Sequence, residues 1–432
     1  MPHSNGLRKA VIVDGVRIPF LRSGTEYQDL MSYDLARMAI QSLLTKTQVA
    51  VEKVDWVIMG CVVSNISTSN VARDAALAAG IPSKTPAFTV TLACVSANKA
   101  ITSAVDLIAT GQAEVVIAGG AESLSDIPIR YRKPFRKKLI ESQKYRKPAD
   151  YLQFVQGLKF SDVLPEIPSI AEFSTGRSMG QDCDRLAARI GVTREEQDKF
   201  AVRSHLLAAR AAAEGLLKDE IAPVAVPPRF QVVDKDNGVR GDTSEEKMAQ
   251  LKPAFVKPYG TLTAGNSSYL TDGAGALLIM AEETARALGY KPKAVFRASA
   301  YTAQDPGEEL LLGPAYAAPK ALDQAGLSLK DIDVFEFHEA FAAQVVANLK
   351  CLDSEQFARE NLARDKKVGE VPLDKLNAWG GSLSIGHPFG ATGARLVTTA
   401  ANRLIKENGQ FALVASCAAG AVGNAIILEN AR

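Results

Sequence analysis

The chain has 432 residues, with 50 Lys and Arg against 48 Asp and Glu and 47% hydrophobic residues. That hydrophobic share excludes wholesale disorder, and the length calls for two domains or one doubled architecture. A formal net charge of +2 excludes a global attraction to nucleic acid, so any electrostatic footprint must be local.

The elements follow in chain order. The opening MPHSNGLRKAVIVDG carries neither a secretory apolar core nor an Arg/Ser-rich transit pattern. A cytoplasmic protein is expected, or a processed organellar one. Residues 9–14 (KAVIVD) read as a strand and 33–44 as an amphipathic helix. Residues 56–63 (WVIMGCVV) are again strand-length and apolar, as are 88–92, which lead into Cys94. Helical spacing returns over 98–108, and 114–120 (EVVIAGG) predicts a buried strand ending in a glycine turn. Strands alternating with Ala-rich helices give an α/β protein. No apolar run approaches the ~20 residues of a spanning helix.

A weak internal repeat supports doubling. Residues 49–62 and 327–340 share a charged turn, an Asp and an apolar strand, and VVIAGG (115–120) resembles ALVASC (412–417) in the same order. Residues 130–147 (RYRKPFRKKLIESQKYRK) form a dense basic stretch with interleaved aromatics. It reads either as a solvated helix face or as a contact for phosphate, anionic membrane or an acidic partner. No nucleic-acid-binding module accompanies it.

Five widely spaced cysteines argue against a disulfide framework and for a reducing setting. Cys94 lies where a strand passes into a helix, so the helix dipole is expected to favour its thiolate, although a small buried core residue is the alternative. His387 sits in the Gly/Pro loop GGSLSIGHPFGATGARL (380–396), suited to a general base. The loop lacks the GK[ST] ending of a phosphate cradle. Cys417 ends a strand in a small-residue turn where N–H groups could meet an oxyanion. His338, in FEFHEAF, marks another strand-to-helix passage. CxxC is absent and the Cys and His residues are isolated along the chain, so no metal site is expected.

Together TLACVSANKA, AGGAESLSDIP, YGTLTAGNSSYLTDGAGALLIM, GGSLSIGHPFGATGARL and CAAGAVG resemble the motifs of the thiolase family, in the family's order and over nearly the whole chain. The resemblance implies two similar halves in a five-layered α-β-α-β-α sandwich with an inserted loop domain. The halves are expected at 1–288, with the nucleophilic Cys and an insertion at about 126–255, and at 289–432, with the His and second Cys. HEAF (338–341) in place of NEAF, CAAG in place of CxGG, and the basic insertion are similar to the thiolase (β) subunits of fatty-acid oxidation trifunctional complexes.

The implied reaction is thiolysis of a 3-ketoacyl-CoA to acetyl-CoA and a shortened acyl-CoA, of medium or long chain. Cys94 would be the nucleophile, His387 its base and Cys417 the second acid/base. His338 with His387 would form one oxyanion site, and the N–H groups of Cys94, Ala419 and Gly420 the other. Ala419 and Ala421 stand where many thiolases have Gly, and their methyls would strain the turn if it needs positive φ. Ser268, Arg240 and Met179 match positions around CoA, which is a co-substrate; no permanently bound cofactor is implied.

Implied partners are acyl-CoA and CoA, a second copy in a dimer or higher oligomer, and an enoyl-CoA hydratase/3-hydroxyacyl-CoA dehydrogenase subunit. Peripheral contact with anionic membrane through 130–160 is a further expectation, and nucleic acid is not. For a processed eukaryotic chain the compartment would be the mitochondrial matrix. The alternatives are an acetoacetyl-CoA thiolase of short-chain or biosynthetic metabolism, and a catalytically weak docking subunit. Cys61, Cys183 and Cys351 read as structural, and His205 as a helix-face residue.

Overall fold

A computed structural model describes residues 7–166 and 171–432. The first six residues of the N-terminal segment read above lie outside that range. The chain divides into two compact units, Met1–Asp126 with Ala171–Arg432, and Ile127–Ile170.

The larger unit is built on one ten-stranded mixed sheet. Its strands in chain order are β1 (Ala10–Arg17), β2 (Leu21–Arg22), β3 (Trp56–Gly60), β4 (Ala87–Val90), β5 (Val115–Glu122), β6 (Thr271–Ala281), β7 (Ala294–Ala303), β8 (Val334–Phe337), β9 (Phe411–Ala418) and β10 (Val422–Asn430). The order is β8-β9-β10-β7-β1-β6-β5-β3-β4, with β2 on β6. Within the sheet, the strands of the two halves are joined where Val11 and Ile12 of β1 pair with Val295 and Ala294 of β7. The repeat seen in the sequence is structural: β3 runs parallel to β5, and β8 parallel to β9.

The helices that matter here are α1 (Ser32–Thr47), α2 (Ser96–Ala109), α3 (Met179–Ile190), α4 (Arg194–Ala213), α5 (Gly313–Ala325), α6 (Ala342–Leu352) and α7 (Thr392–Lys406). Alternation along the strands assigns them to layers. Val11, Val13 and Val16 of β1 pack with Leu35, Ile40 and Leu43 of α1. Ala10 and Ile12 turn the other way, onto Ala97, Ile101 and Ala104 of α2 and Ala394, Val397 and Ala400 of α7. On the second half, Phe335, Phe337 and Leu413 face α5 and α6, while Val334, Ala412 and Val414 face the central helices. One apolar stripe per outer helix and two per strand give the α-β-α-β-α layering, with α2 and α7 enclosed at its centre.

Residues 127–166 of the smaller unit hold a short ribbon (Arg130–Tyr131 with Pro165–Glu166) and helices Lys133–Ser142, Pro148–Val155 and Phe160–Val163. Edge-to-face ring pairs, Tyr131 with Phe135 at 4.9 Å and Phe135 with Phe154 at 5.7 Å, tie it together. Its apolar side chains stay wet: Ile140 is 63% exposed, Leu152 73% and Phe160 82%. No described helix is long and apolar enough to cross a membrane.

Candidate active site

Four segments deliver the site to the ends of the two central helices. Cys94 lies in the turn between β4 and α2, half-buried. The turn is tight because Ser96 Oγ donates to Ala93 O at 2.6 Å and accepts from Leu92 N at 2.8 Å. It forces Ala93 to φ 44°, left-handed backbone that costs an L-residue about 1–2 kcal/mol. Strain of this kind collects where a side chain must be aimed.

The His387 loop is held by its backbone. His387 N donates to Thr271 Oγ1 at 3.0 Å, and Gly386 before it sits at φ 113°, open to glycine. At Gly390 the loop presses on β5 so closely that a Cβ on Gly120 would stand 1.8 Å from Gly390 O. The buried Glu122 carboxylate stitches the contact, accepting from Gly390 N at 2.8 Å, Val63 N at 2.9 Å and Val62 N at 3.1 Å. His338 follows β8, its N–H donating to Ala415 O at 2.8 Å.

These segments bring the His338 and His387 rings to 4.1 Å between centroids. Cys94 Sγ and a ring nitrogen of each histidine all lie within 4.8 Å of one another. Linear spacing gave no sign of this cluster, which is compact enough to hold a soft cation as well as to transfer a proton. His338 Nδ1 lies 3.1 Å from Ser382 Oγ, and His387 Nδ1 lies 2.6 Å from Thr392 Oγ1. Both Nε2 atoms are buried without a partner among the described residues, so they are the free faces of the two rings.

The electrostatics correct one expectation. Burial pushes the Cys94 thiol up to about 11, outweighing the backbone hydrogen bonds from Ala419 and from its own residue. Desolvation, with the Glu122 charge, thus outweighs those two backbone donors and favours the thiol over the thiolate. Burial, with the Arg395 guanidinium nearby, holds His387 down at about 3. His338 is likewise held well below the ordinary imidazole range by burial, by His387 and by Arg395. Cys417 is fully buried, and desolvation together with the neighbouring Cys94 sulfur raises its thiol strongly. The site rests with neutral thiols and neutral imidazoles.

In the Cys417 turn, Gly420 has φ 78° and Ala421 φ 54°, so Ala421 does occupy a strained position, whereas Ala419 does not. Backbone hydrogen bonds from Ala419 and Cys94 reach the Cys94 sulfur. Gly420, expected beside them, instead gives its N–H to Glu172 Oε2 at 2.7 Å. A carboxylate is a stronger acceptor than a thiol, and that donor is engaged.

The three positions expected around CoA are spread more widely. Ser268 is half-buried and bonded through its N–H to Ala340 O at 2.9 Å, two residues from His338. Met179 begins α3 and packs against the second-half core. The Arg240 side chain is exposed, while its N–H donates to His205 Nδ1 at 3.1 Å. His205 is therefore a buried, satisfied structural histidine rather than a helix-face one. Cys61, Cys183 and Cys351 are buried and free.

Residues that the sequence reading passed over are Glu122, Ser382, Thr392 and Arg395. Arg395 and Arg403, both fully buried, lie on α7 among the apolar residues Ala394, Leu396, Val397, Ala400 and Leu404. A charge inside an apolar stripe was the available signal.

Family models for the thiolase N-terminal domain and the thiolase C-terminal domain match residues 10–283 and 290–430. The chain belongs to the thiolase family. It is 57% identical over 423 residues to the mitochondrial trifunctional enzyme subunit beta of Bos taurus, covering 98% of this chain and 88% of that protein. It is 53% identical to a probable 3-ketoacyl-CoA thiolase of Caenorhabditis elegans, covering 97% and 93%. Among solved structures, the acetyl-CoA acetyltransferase of Bacillus anthracis superposes with a TM-score of 0.85 at 32% identity, covering 99% of this thiolase and 100% of that chain. Human mitochondrial 3-ketoacyl-CoA thiolase in complex with CoA gives 0.84 at 32% identity, covering 98% of each. The enzyme is an acyltransferase, and CoA is its co-substrate.

Proposed function

We propose that this thiolase cleaves medium- and long-chain 3-ketoacyl-CoA in fatty-acid β-oxidation, with Cys94, His387, Cys417 and His338 as its chemical groups. The observation that carries the reading is the clustering of the Cys94 sulfur with a ring nitrogen of each of two buried histidines, beside a second buried thiol.

The Cys94 sulfur attacks C3 of the substrate while its proton passes to His387 Nε2. A thiol at about 11 beside an imidazole at about 3 does not ionise at rest, so the transfer accompanies C–S bond formation. The C3 oxygen gains charge against the N–H groups of Ala419 and Cys94, and such donors are worth about 10²–10³ in rate each. The C2–C3 bond then breaks, leaving an acyl thioester on Cys94 and an acetyl-CoA enolate, whose oxygen is met by His338 and the protonated His387 and which takes the Cys417 proton at C2. The Cys417 thiolate next removes the thiol proton of incoming CoA. The CoA sulfur attacks the thioester carbonyl, whose oxygen is met by the N–H groups of Ala419 and Cys94. Collapse expels Cys94, which recovers its proton from His387.

Relatives named as trifunctional enzyme β subunits support assembly with a hydratase/dehydrogenase subunit and a mitochondrial compartment in preference to a cytoplasmic one. Pairing of two copies is supported by the outer strand β4, which leads directly to Cys94 and has no partner beyond β3 among the described residues. Likeness to an acetyl-CoA acetyltransferase favours the short-chain alternative as the second reading. Thiolysis of C4 and C16 3-ketoacyl-CoA, with Cys94→Ala as control, separates them. Activity on C16 that the variant loses supports the proposal, activity confined to C4 supports the second reading, and inactivity on both overturns each.

A further inference from the structure

Two hydroxyl groups stand behind the two histidines, and each hydroxyl has one proton to place. Ser382 Oγ has two polar neighbours among the described residues, Arg395 Nη2 at 2.9 Å and His338 Nδ1 at 3.1 Å. A guanidinium only donates, so the Ser382 proton goes to His338 Nδ1, and the ring carries its own hydrogen on Nε2. Thr392 Oγ1 lies 2.6 Å from His387 Nδ1 and 3.1 Å from Pro388 O. A carbonyl only accepts, so the Thr392 proton goes to Pro388 O, and His387 donates from Nδ1. Its Nε2 is left bare.

We propose that Ser382, with its proton directed by Arg395, is a positioning residue that fixes His338 as the Nε2–H tautomer, while Thr392 fixes the adjacent His387 in the opposite one. The inference rests on the thiolase mechanism above, and it gives the two rings different work although they share one cavity. His338 presents a hydrogen to the developing oxyanion, and His387 presents a lone pair to the Cys94 proton. Arg395 is itself held 3.5 Å from Glu336, which also binds Arg403 at 2.8 Å, all of them fully buried. The donor behind Ser382 is thus part of a buried charged network. Burial, reinforced by Arg395, lowers the proton affinity of both imidazoles, which keeps each ring neutral and so capable of holding a tautomer.

The test labels the ring nitrogens of the four histidines with ¹⁵N in the intact protein and reads two-bond nitrogen–proton correlations. Assignment comes from the signals lost in His338→Asn and His387→Asn. The wild-type spectrum should show His338 protonated at Nε2 and His387 at Nδ1. Ser382→Ala should scramble only the His338 pattern and lower kcat by about 10–100-fold with KM within about twofold, while Ser382→Thr keeps both pattern and rate. A wild-type His338 protonated at Nδ1, or a Ser382→Ala spectrum identical to wild type, overturns the proposal. If the wild type does no thiolysis, the functional reading fails instead, and the nitrogen spectrum still decides the tautomers.

Discussion

At the scale of single residues, the two reactive thiols differ in what surrounds them. Cys94 is half-buried, with backbone N–H groups on its sulfur and two imidazoles within reach, whereas Cys417 is fully buried and raised further by Cys94. In the proposed mechanism the first attacks, and the second holds a proton until an enolate needs it. Cys417→Ala should therefore lower thiolysis by about 10²–10⁴-fold, the range for a lost general acid. Acylation of Cys94 by a simple acyl-CoA, which forms no enolate and expels a thiolate able to leave unprotonated, should be slowed less and still show as the added mass of the acyl group. Thiolysis within about tenfold of wild type would contradict a proton-transfer role. Cys94, His387 and Cys417 stood out in the sequence because small residues flank each, with glycines beside His387 and Cys417. The protonation of Cys94 was not, since desolvation depends on side chains far along the chain.

Among the elements, the turn before α2 and the loop before α7 carry the precision of the site. The Ser96 hydroxyl and the left-handed Ala93 aim Cys94, and Glu122 ties Gly390 to the end of β3. Ala93→Gly removes the Cβ that makes φ 44° costly, against the larger backbone entropy of glycine in the unfolded chain. Unfolding free energy should stay level or rise by up to about 1 kcal/mol. The rate should fall, because a turn freed of its constraint aims Cys94 less tightly. Denaturant titration and thiolysis on the same preparation measure both, and reduced stability with an unchanged rate would sink this account. Strand and helix positions such as 33–44 and 98–108 matched α1 and α2 closely, since an apolar period survives in any local window. The pairing of β1 with β7 that joins the halves had no sequence signature, being only two residues long.

Across the whole molecule, buried titratable groups set opposing responses to acid. His205 is held at about 4, His387 at about 3 and His338 below the ordinary range, all by burial. The unfolded chain therefore binds more protons there, and stability falls as pH drops below about 6.5. Glu122 and Glu336 are raised to about 7 by burial. Between about 4.5 and 7 the folded state binds more protons at these two, so their contribution grows as pH drops and is complete below about 4.5. Unfolding free energy should thus decline gently from pH 6.5 to 4.5 and steeply below, each imidazole adding about 1.4 kcal/mol per pH unit. Denaturant midpoints across that range measure it, and a decline steeper above pH 4.5 than below would refute the assignment. In the smaller unit, exposed Arg136 and Lys137 lie beside exposed Ile140 and Leu139, a pairing suited to an anionic membrane surface. Arg136→Glu with Lys137→Glu should weaken co-sedimentation with anionic liposomes and leave C4 thiolysis intact. Unchanged co-sedimentation would rule that surface role out.

The sequence by itself determined the α/β alternation, the doubled halves, the family and the three motif residues, because periodicity and short motifs are written within a few neighbouring positions. Only the tertiary structure decided that Cys94 rests as a thiol, that Gly420 is engaged by Glu172, and that a serine and a threonine stand behind the two histidines. Proton affinity and hydrogen-bond direction depend on desolvation and on partners brought from tens to hundreds of residues away, and the linear chain does not specify which groups will meet.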